Sequence, residues 1–222
     1  MSATAEQDAR LRAAIEHTLL AAEATERDIE RLCDEATNHG LFGVCVNPVH
    51  VPVARARLGH ATVQLVSVVG FPLGATASEV KAHEATLVVA AGADELDMVL
   101  ALGAARAGDW SRVQADIEVV VASAQGRPVK VIVETAKLED DEKRLACHAA
   151  RRAGAAFVKT STGFGGGGAT EHDVALMHGE VGGVLGVKAS GGIRTRAQAL
   201  QLLNAGATRV GTSAGPALLL PS

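Results

Sequence analysis

Aromatic residues are nearly absent from this 222-residue sequence, which has one Trp, four Phe and no Tyr. Because 48% of the residues are nevertheless hydrophobic, the core must be built from Val, Leu, Ala and Ile. That composition is typical of a buried parallel sheet covered by helices. The three cysteines, Cys33, Cys45 and Cys147, form no C-x-x-C pair. Their odd number indicates a reducing compartment rather than a disulfide framework.

Long apolar runs and an excess of one charge are also missing. No run approaches the length of a membrane span, and the polar N-terminal segment lacks the apolar stretch of a signal peptide. We therefore expect a cytoplasmic protein that does not insert into a membrane. The net charge is −4, with 21 basic and 25 acidic residues interspersed, so no basic stripe is available to bind nucleic acid.

Motifs for metal binding and for acyl transfer are lacking as well. The eight histidines show no H-x-H or H-E-x-x-H spacing, and no G-x-S-x-G elbow is present. We interpret His17 and Cys45 as packed side chains, in preference to a metal ligand and a nucleophile. The sequence thus predicts no metal.

What the sequence does contain is a regular alternation of β-branched apolar runs and helical segments. The predicted strands are 17–20, 43–46, 63–69, 95–99, 129–133, 157–159, 186–188 and 209–211, and the predicted helices are 25–38, 78–91, 111–124, 140–153, 171–178 and 196–205. Such alternation predicts parallel βαβ units, and eight strands favour a closed (β/α)8 TIM barrel over an open sheet. Ser78 and Thr170 are the predicted caps of their helices. No linker divides the chain, so residues 1–222 are predicted to form a single α/β domain.

Two internal repeats align residues on different strands. The pattern A-G-A-x-x-apolar-x occurs at 91–97, 153–159 and 205–211, with a looser copy at 39–45. Its last position holds Asp97, Lys159, Gly211 and Cys45, respectively. A second pattern, V-K-x-S-x-G, matches Lys159 with Lys188 on consecutive strands. Adjacent strands lie about 4.8 Å apart, so two inward-pointing ammonium groups would come close together.

The matched lysines are the strongest candidates for chemistry. Only six lysines occur, and an isolated ammonium within an apolar strand is costly unless it is paired or neutralised. A free lysine has a pKa near 10.4, but a neighbouring cation and a dry pocket favour the neutral, nucleophilic amine. We predict imine formation on Lys159, with Lys188 as the cation and Asp97 as the proton-transfer group. Structural ion pairs or snorkelling at strand ends are the alternatives. Lys130, at the start of its strand, is interpreted as structural.

Glycine-rich loops predict an anion site at the same end of the barrel. Gly191 and Gly192 follow the seventh strand, and Gly211 and Ser213 follow the eighth, where barrels often bind phosphate. Gly163 opens the run 163–168, which would add donors or act as a mobile lid. Simple tight turns are the alternative for these glycines.

These motifs closely resemble the 2-deoxyribose-5-phosphate aldolase family of class I aldolases. The likeness runs over nearly the whole chain, from His17 to Ser213, and includes 45–48, 69–74, 94–99, 158–168 and 187–194. It implies that a small sugar phosphate, 2-deoxy-D-ribose 5-phosphate, is cleaved reversibly to D-glyceraldehyde 3-phosphate and acetaldehyde. It also implies that Thr18 helps bind the substrate, in the strand that begins the likeness.

The resemblance further implies that Lys159 forms the imine, that Lys188 keeps its amine neutral, and that Asp97 moves protons with an ordered water. The iminium is the electron sink, so no cofactor is required. Barrels of this kind often pair, and we expect a homo-oligomer, either a dimer or a tetramer.

Three positions depart from the family pattern. Glu16 stands where the family usually has Asp, Ala214 stands where a second Ser is common, and the C-terminal Tyr of some members is missing from 218–222. These departures leave two alternatives open. One is a catalytically impaired sugar-phosphate-binding barrel, and the other is a related barrel enzyme, such as an isomerase or an aldolase for a different phosphorylated aldehyde.

Overall fold

A computed structural model describes residues 3–220 as strands joined by helical crossovers. The strands are β1 (Ile15–Leu19), β2 (Gly43–Val46), β3 (Gln64–Val69), β4 (Glu95–Val99), β5 (Val129–Ile132), β6 (Phe157–Lys159), β7 (Gly186–Ser190) and β8 (Arg209–Thr212). The α-helices are α1 (Ala3–Ala14), α2 (Glu26–His39), α3 (Val51–Leu58), α4 (Ser78–Ala90), α5 (Leu102–Arg106), α6 (Trp110–Ser123), α7 (Asp140–Arg152), α8 (Glu171–Val181) and α9 (Arg196–Asn204).

Each strand pairs in parallel with its neighbour in the chain, and β1 pairs with β8. The prediction of a closed (β/α)8 barrel is therefore confirmed. Over the part of the chain that the structure describes, no helix has both the length and the hydrophobicity needed to cross a bilayer.

Local capping explains where several helices begin. Thr25 precedes α2 and forms a capping box with Asp28, and Thr170 caps α8 as predicted, since its side chain accepts a hydrogen bond from the Asp173 backbone. The predicted Ser78 cap is wrong, because Ala77 occupies the N-cap position of α4. The Ser78 hydroxyl instead donates to Asp116 of α6 at 2.7 Å, a tertiary contact that replaces the local one.

The C-terminal segment takes the place of an eighth outer helix. A short 3-10 helix, Pro216–Leu219, follows β8 and packs against α1, α2 and α9, with Leu218 and Leu219 buried. The described tail therefore completes the outer layer of the barrel. Pro221 and Ser222 lie outside the described residues.

Two apolar regions hold the barrel together. The larger one fills the layer between the strands and the surrounding helices. The smaller one consists of Leu20, Cys45, Val66 and Val68, with Phe71 packed against it. This group lies on the β1–β3 side, whereas most charged residues inside the barrel come from β4 to β8, with Glu16 of β1 as the exception. One side of the interior is therefore more apolar than the other.

Candidate active site

A cavity of about 520 Å³ opens at the carboxyl ends of the strands. The loops after β1, β6, β7 and β8 line it, which is where barrels of this class carry their sites. Lys159 lines the cavity, as do all six residues that the sequence predicted to bind substrate, namely Thr18, Gly163, Gly191, Gly192, Gly211 and Ser213.

The two matched lysines meet at a single carboxylate oxygen. Lys159 and Lys188 are paired directly in the β6–β7 register. Asp97 Oδ2 accepts a hydrogen bond from Lys159 Nζ at 2.7 Å and another from Lys188 Nζ at 2.6 Å. Lys188 and Asp97 are fully buried beneath the cavity, and Lys159 keeps a 2% exposed surface. Lys159 is thus the member of this trio that a ligand can reach.

Further charged side chains lie below this trio, inside the barrel. Lys130 Nζ donates to Asp97 Oδ1 at 2.9 Å and lies 2.7 Å from Glu95 Oε2. The sequence had assigned Lys130 to the opposite face as a structural residue, yet its amine reaches the same carboxylate. Glu16 forms a short ion pair with Lys188, and its other oxygen lies 3.9 Å from Arg209 Nε.

We refer to these side chains together as the barrel charge cluster. It consists of four cations and three carboxylates: Lys130, Lys159, Lys188, Arg209, Glu16, Glu95 and Asp97. The cluster therefore carries one positive charge in excess when every group is ionised. Loss of the proton from Lys159 would balance it.

Burial and ion pairing act against each other in this cluster. Burial alone would raise the pKa of Asp97, but the ammonium groups of Lys130, Lys159 and Lys188 outweigh it and hold that pKa well below its usual range. Burial alone would lower the pKa of Lys188, but Asp97 and Glu16 outweigh it and raise that pKa. The pKa of Lys130 is raised in the same way, mainly by Asp97. Asp97 and Lys188 thus keep opposite fixed charges at neutral pH.

Glycine at position 211 is required by packing as well as by the cavity. A Cβ atom at Gly211 would lie 3.1 Å from Lys188 Cε and 3.1 Å from Ser190 Cβ, closer than ordinary van der Waals contact. The missing side chain leaves room for Lys188 to extend through the barrel towards Asp97.

The glycine run after β6 is packed rather than free. The carboxylate of Glu134 occupies the position of a Cβ at Gly165, and the Ala136 side chain does the same at Gly167. A Cβ at Gly168 would overlap the carbonyl oxygen of Gly191. These contacts leave no space for a side chain at Gly165, Gly167 or Gly168.

Three residues of this region were missed by the sequence reasoning. Arg194 and Phe164 line the cavity, and among the described residues no carboxylate forms an ion pair with Arg194. The position of Arg194 directly after Gly191-Gly192-Ile193 is the sequence signal that could have identified it as a site residue. Glu134 has a left-handed backbone, with a φ of 55°, which costs roughly 1 kcal/mol or more outside glycine. Nothing in the sequence marks a glutamate for that conformation.

His17 and Cys45 lie where the sequence interpretation placed them, as packed side chains. His17 faces outward and contacts Glu35 of α2 at 2.8 Å. Cys45 is fully buried, and burial raises the pKa of its thiol to about 11, so the reactive thiolate is scarce at neutral pH. Within residues 3–220, no group of three or more His, Cys, Asp or Glu side chains is arranged to hold a metal ion.

The chain is similar to known aldolases over almost its whole length. Residues 11–220 match the model of the DeoC/LacD family aldolases. A deoxyribose-phosphate aldolase of Deinococcus radiodurans is 53% identical, covering 92% of this chain and 93% of the relative. One of Thermococcus gammatolerans is 55% identical, covering 90% and 91%. The tetrameric deoxyribose phosphate aldolase structure from Aeropyrum pernix superposes with a TM-score of 0.89 at 36% identity, covering 99% and 97%.

Proposed function

The chain belongs to the DeoC/LacD family of aldolases, and we propose that it cleaves 2-deoxy-D-ribose 5-phosphate reversibly through a Schiff base on Lys159. The products are D-glyceraldehyde 3-phosphate and acetaldehyde. The observation that carries the assignment is the position of Lys159, which lines the cavity while a second, buried lysine shares its carboxylate partner.

The first step is imine formation at the substrate aldehyde. The neutral amine of Lys159 attacks C1, and the resulting carbinolamine loses water to give an iminium ion. Asp97, in contact with Lys159 Nζ, is placed to hold the charge that develops at this nitrogen. Because Asp97 is fully buried and does not line the cavity, we assign its role to the lysine nitrogen rather than to the distal hydroxyls.

The second step breaks the C2–C3 bond of the sugar. The hydroxyl on C3 gives its proton to a water molecule and becomes the aldehyde of glyceraldehyde 3-phosphate, and the proton that C2 later takes up balances this loss. The bonding electron pair moves through C2 to the iminium nitrogen and leaves an enamine on Lys159. Protonation at C2 and hydrolysis then release acetaldehyde and restore the amine, so the chemistry is balanced by protons and water alone.

The barrel charge cluster explains how Lys159 reaches the neutral state that attack requires. Lys188 stays cationic because its pKa is raised, and its ammonium shares Asp97 Oδ2 with Lys159. The cluster has one more cation than carboxylates, and Lys159 is its lysine that lines the cavity. We therefore assign Lys188 as the cation that favours release of that proton.

The phosphate is assigned to the β7–β8 side of the cavity. Gly191, Gly192 and Ser213 supply small, polar lining there, and the cavity-lining Arg194 adds a positive charge. The Ala214 backbone N–H already donates to Thr212 Oγ1 at 3.0 Å. The Thr212 hydroxyl itself donates to the Ile193 carbonyl at 2.6 Å, so Ser213 is the hydroxyl that this turn offers to an anion.

Glu16, which stands where the family usually has Asp, lies below the cavity and does not form part of its wall. Glu16 is fully buried and contacts Lys188, so its extra methylene lengthens the reach of the carboxylate within the cluster. Both lysines remain hydrogen-bonded to Asp97. This arrangement supports an active enzyme over an impaired binding barrel.

Reductive trapping of the imine between acetaldehyde and Lys159 tests the proposed function. We expect acetaldehyde and sodium borohydride to leave a stable ethyl group on Lys159, detected by peptide mass spectrometry. The exposed Lys137 is the internal control for non-specific alkylation. An adduct confined to Lys137, or no adduct at all, would contradict the proposal.

Arg194→Met and Ser213→Ala are expected to weaken binding of the phosphorylated substrate selectively. We expect each to raise the KM for 2-deoxyribose 5-phosphate by about tenfold, the value of one charge-assisted hydrogen bond. Turnover of unphosphorylated 2-deoxyribose should change little. Arg127→Met, which removes the same charge from an exposed site at the opposite end of the barrel, is the control. Equal losses on both substrates would argue against a phosphate site here.

We also propose that the protein is a homo-oligomer. The Aeropyrum pernix relative is tetrameric, and this chain exposes apolar side chains on one helix. Val80 and Leu87 of α4 are each 55% exposed, and Leu73 just before it is 71% exposed. Val80 and Leu87 are seven residues apart and so share one face of α4.

A further inference from the structure

We propose that Glu134 is a positioning residue for this reaction, which fixes the cavity wall beside Lys159 without touching the substrate. The inference rests on the proposed function of the cavity. Glu134 is 2% exposed and is not among the residues that line the cavity, so any effect it has on substrate must pass through its neighbours.

The first argument is the position of Glu134 relative to Lys159. The backbone N–H of Val133 donates to the carbonyl of Lys159 at 2.8 Å, and that of Thr135 donates to the carbonyl of Thr160 at 2.9 Å. Glu134 stands between these two ladder bonds in its left-handed conformation. Strained backbone of this kind persists only where its surroundings impose it, and it clusters at functional sites.

The second argument is what the carboxylate holds. Glu134 accepts hydrogen bonds from the Thr162 backbone N–H at 3.2 Å and from the Thr162 hydroxyl. Thr162 Oγ1 in turn accepts from the Phe164 backbone N–H at 3.0 Å. Thr162, Gly163 and Phe164 all line the cavity. One buried side chain therefore sets the position of the whole turn after β6.

The third argument is the absence of an ordinary structural reason for the charge. No Lys, Arg or His among the described residues forms an ion pair with Glu134, although buried carboxylates are normally paired with cations. The Glu134 carboxylate instead accepts hydrogen bonds from Thr162. Gly165 leaves the space that the carboxylate fills, since a Cβ there would lie 2.6 Å from Glu134 Cδ.

Substitutions from both sides of this contact test the proposal. Glu134→Ala removes the acceptor, and Gly165→Ala displaces it. We expect each to raise the KM for 2-deoxyribose 5-phosphate by about tenfold and to leave kcat within about threefold, because ground-state positioning is lost while the chemistry remains. Borohydride trapping of acetaldehyde on Lys159 should stay at the wild-type yield. Glu134→Gln, which keeps one acceptor oxygen, should restore most of the KM.

Two matched controls separate positioning from general strain. Gln125 has the other positive φ among the described non-glycine residues, 51°, but it is exposed, and Gln125→Ala should leave KM unchanged. Gly179→Ala adds a methyl group where nothing lies within 4 Å, and it should also leave KM unchanged. Thermal unfolding of each variant identifies any that fail to fold, and if Glu134→Ala is one of them, the KM of folded Gly165→Ala decides.

The outcomes distinguish the two claims. If wild-type protein forms no Lys159 adduct, the proposed function fails, and this inference fails with it. If the wild type is trapped but folded Glu134→Ala and Gly165→Ala keep the wild-type KM, the role of Glu134 alone is overturned. A parallel fall in kcat and trapping would also overturn it, since that pattern indicates damage to the charge cluster.

Discussion

Lys159→Met is expected to abolish cleavage, with a loss of at least about 10⁴-fold in kcat, because methionine keeps an unbranched side chain but has no amine to form the imine. The measurement is turnover of 2-deoxyribose 5-phosphate, together with loss of the borohydride adduct. Lys159→Arg is the matched control for charge. It keeps a cation beside Asp97 but cannot attack a carbonyl, so it should be equally inactive.

Lys159→Met is expected to have a small effect on the free energy of unfolding. Asp97 loses one ammonium partner but keeps Lys130 at 2.9 Å and Lys188 at 2.6 Å. The barrel charge cluster then holds three cations and three carboxylates. We expect the free energy of unfolding to change by about 1 kcal/mol or less, far below the cost of leaving a buried charge unpaired. Full activity in Lys159→Met, or its failure to fold, would refute this account of the site.

Lys188→Met is expected to damage both stability and the pH dependence of catalysis. Lys188 is the closest cation to Glu16, whose other partners are Lys130 at 3.5 Å and Arg209 at 3.9 Å. Removing it leaves a buried carboxylate poorly paired, for which we expect a loss of about 3–5 kcal/mol in the free energy of unfolding. Urea denaturation at neutral pH measures this loss.

The sign of the pH effect follows from the raised pKa of Lys188. A group whose pKa is raised on folding contributes fully to stability below its unfolded value and loses that contribution as the pH rises through its folded value. Lys188 is therefore fully charged across the neutral range. The stability difference between wild type and Lys188→Met should stay constant there and shrink only above the usual lysine range.

Catalysis in Lys188→Met should recover as the pH rises. Without Lys188, the cluster is balanced while Lys159 keeps its proton, so release of that proton leaves a negative charge in excess. We expect kcat at pH 7 to fall at least about tenfold, and the acidic limb of the pH profile to move upward by about one unit or more. An unshifted profile would show that Lys188 does not act on Lys159.

Lys81→Met provides the matched control for this experiment. Lys81 is also fully buried, and it pairs with Asp116 at 2.7 Å between α4 and α6, away from the cavity. We expect it to cost a similar amount of stability while leaving the pH profile in place. That contrast separates a specific electrostatic role from the general effect of losing a buried lysine.

The local sequence determined the eight strands and the matched lysines. A glycine near the end of most helices, with a β-branched run after it, predicts where the following strand begins, and the second repeat aligns Lys159 with Lys188. These are short-range signals, because capping and β-propensity act within a few residues. The β6–β7 register pairs the two lysines directly, as the repeat implied.

Only the tertiary structure decided which charges share the interior. Lys130 was assigned to the far face because it begins its strand, but in the barrel it lies opposite Asp97, while Lys159 lies opposite Ile132. The strands of a closed barrel are staggered, so the start of one strand is level with the middle of another. That offset arises from closure and cannot be read along a single strand.

Backbone conformations and contacts that tertiary packing imposes could not be predicted from the sequence either. The left-handed Glu134 and the Ser78 contact with Asp116 depend on partners far along the chain, at Thr162 and in α6. Sequence by itself determined that this chain forms a (β/α)8 barrel with two lysines at one depth, because those features follow from local periodicity. The stagger and closure of the barrel decided that four cations meet three carboxylates, because the partners come from strands that are distant in the sequence.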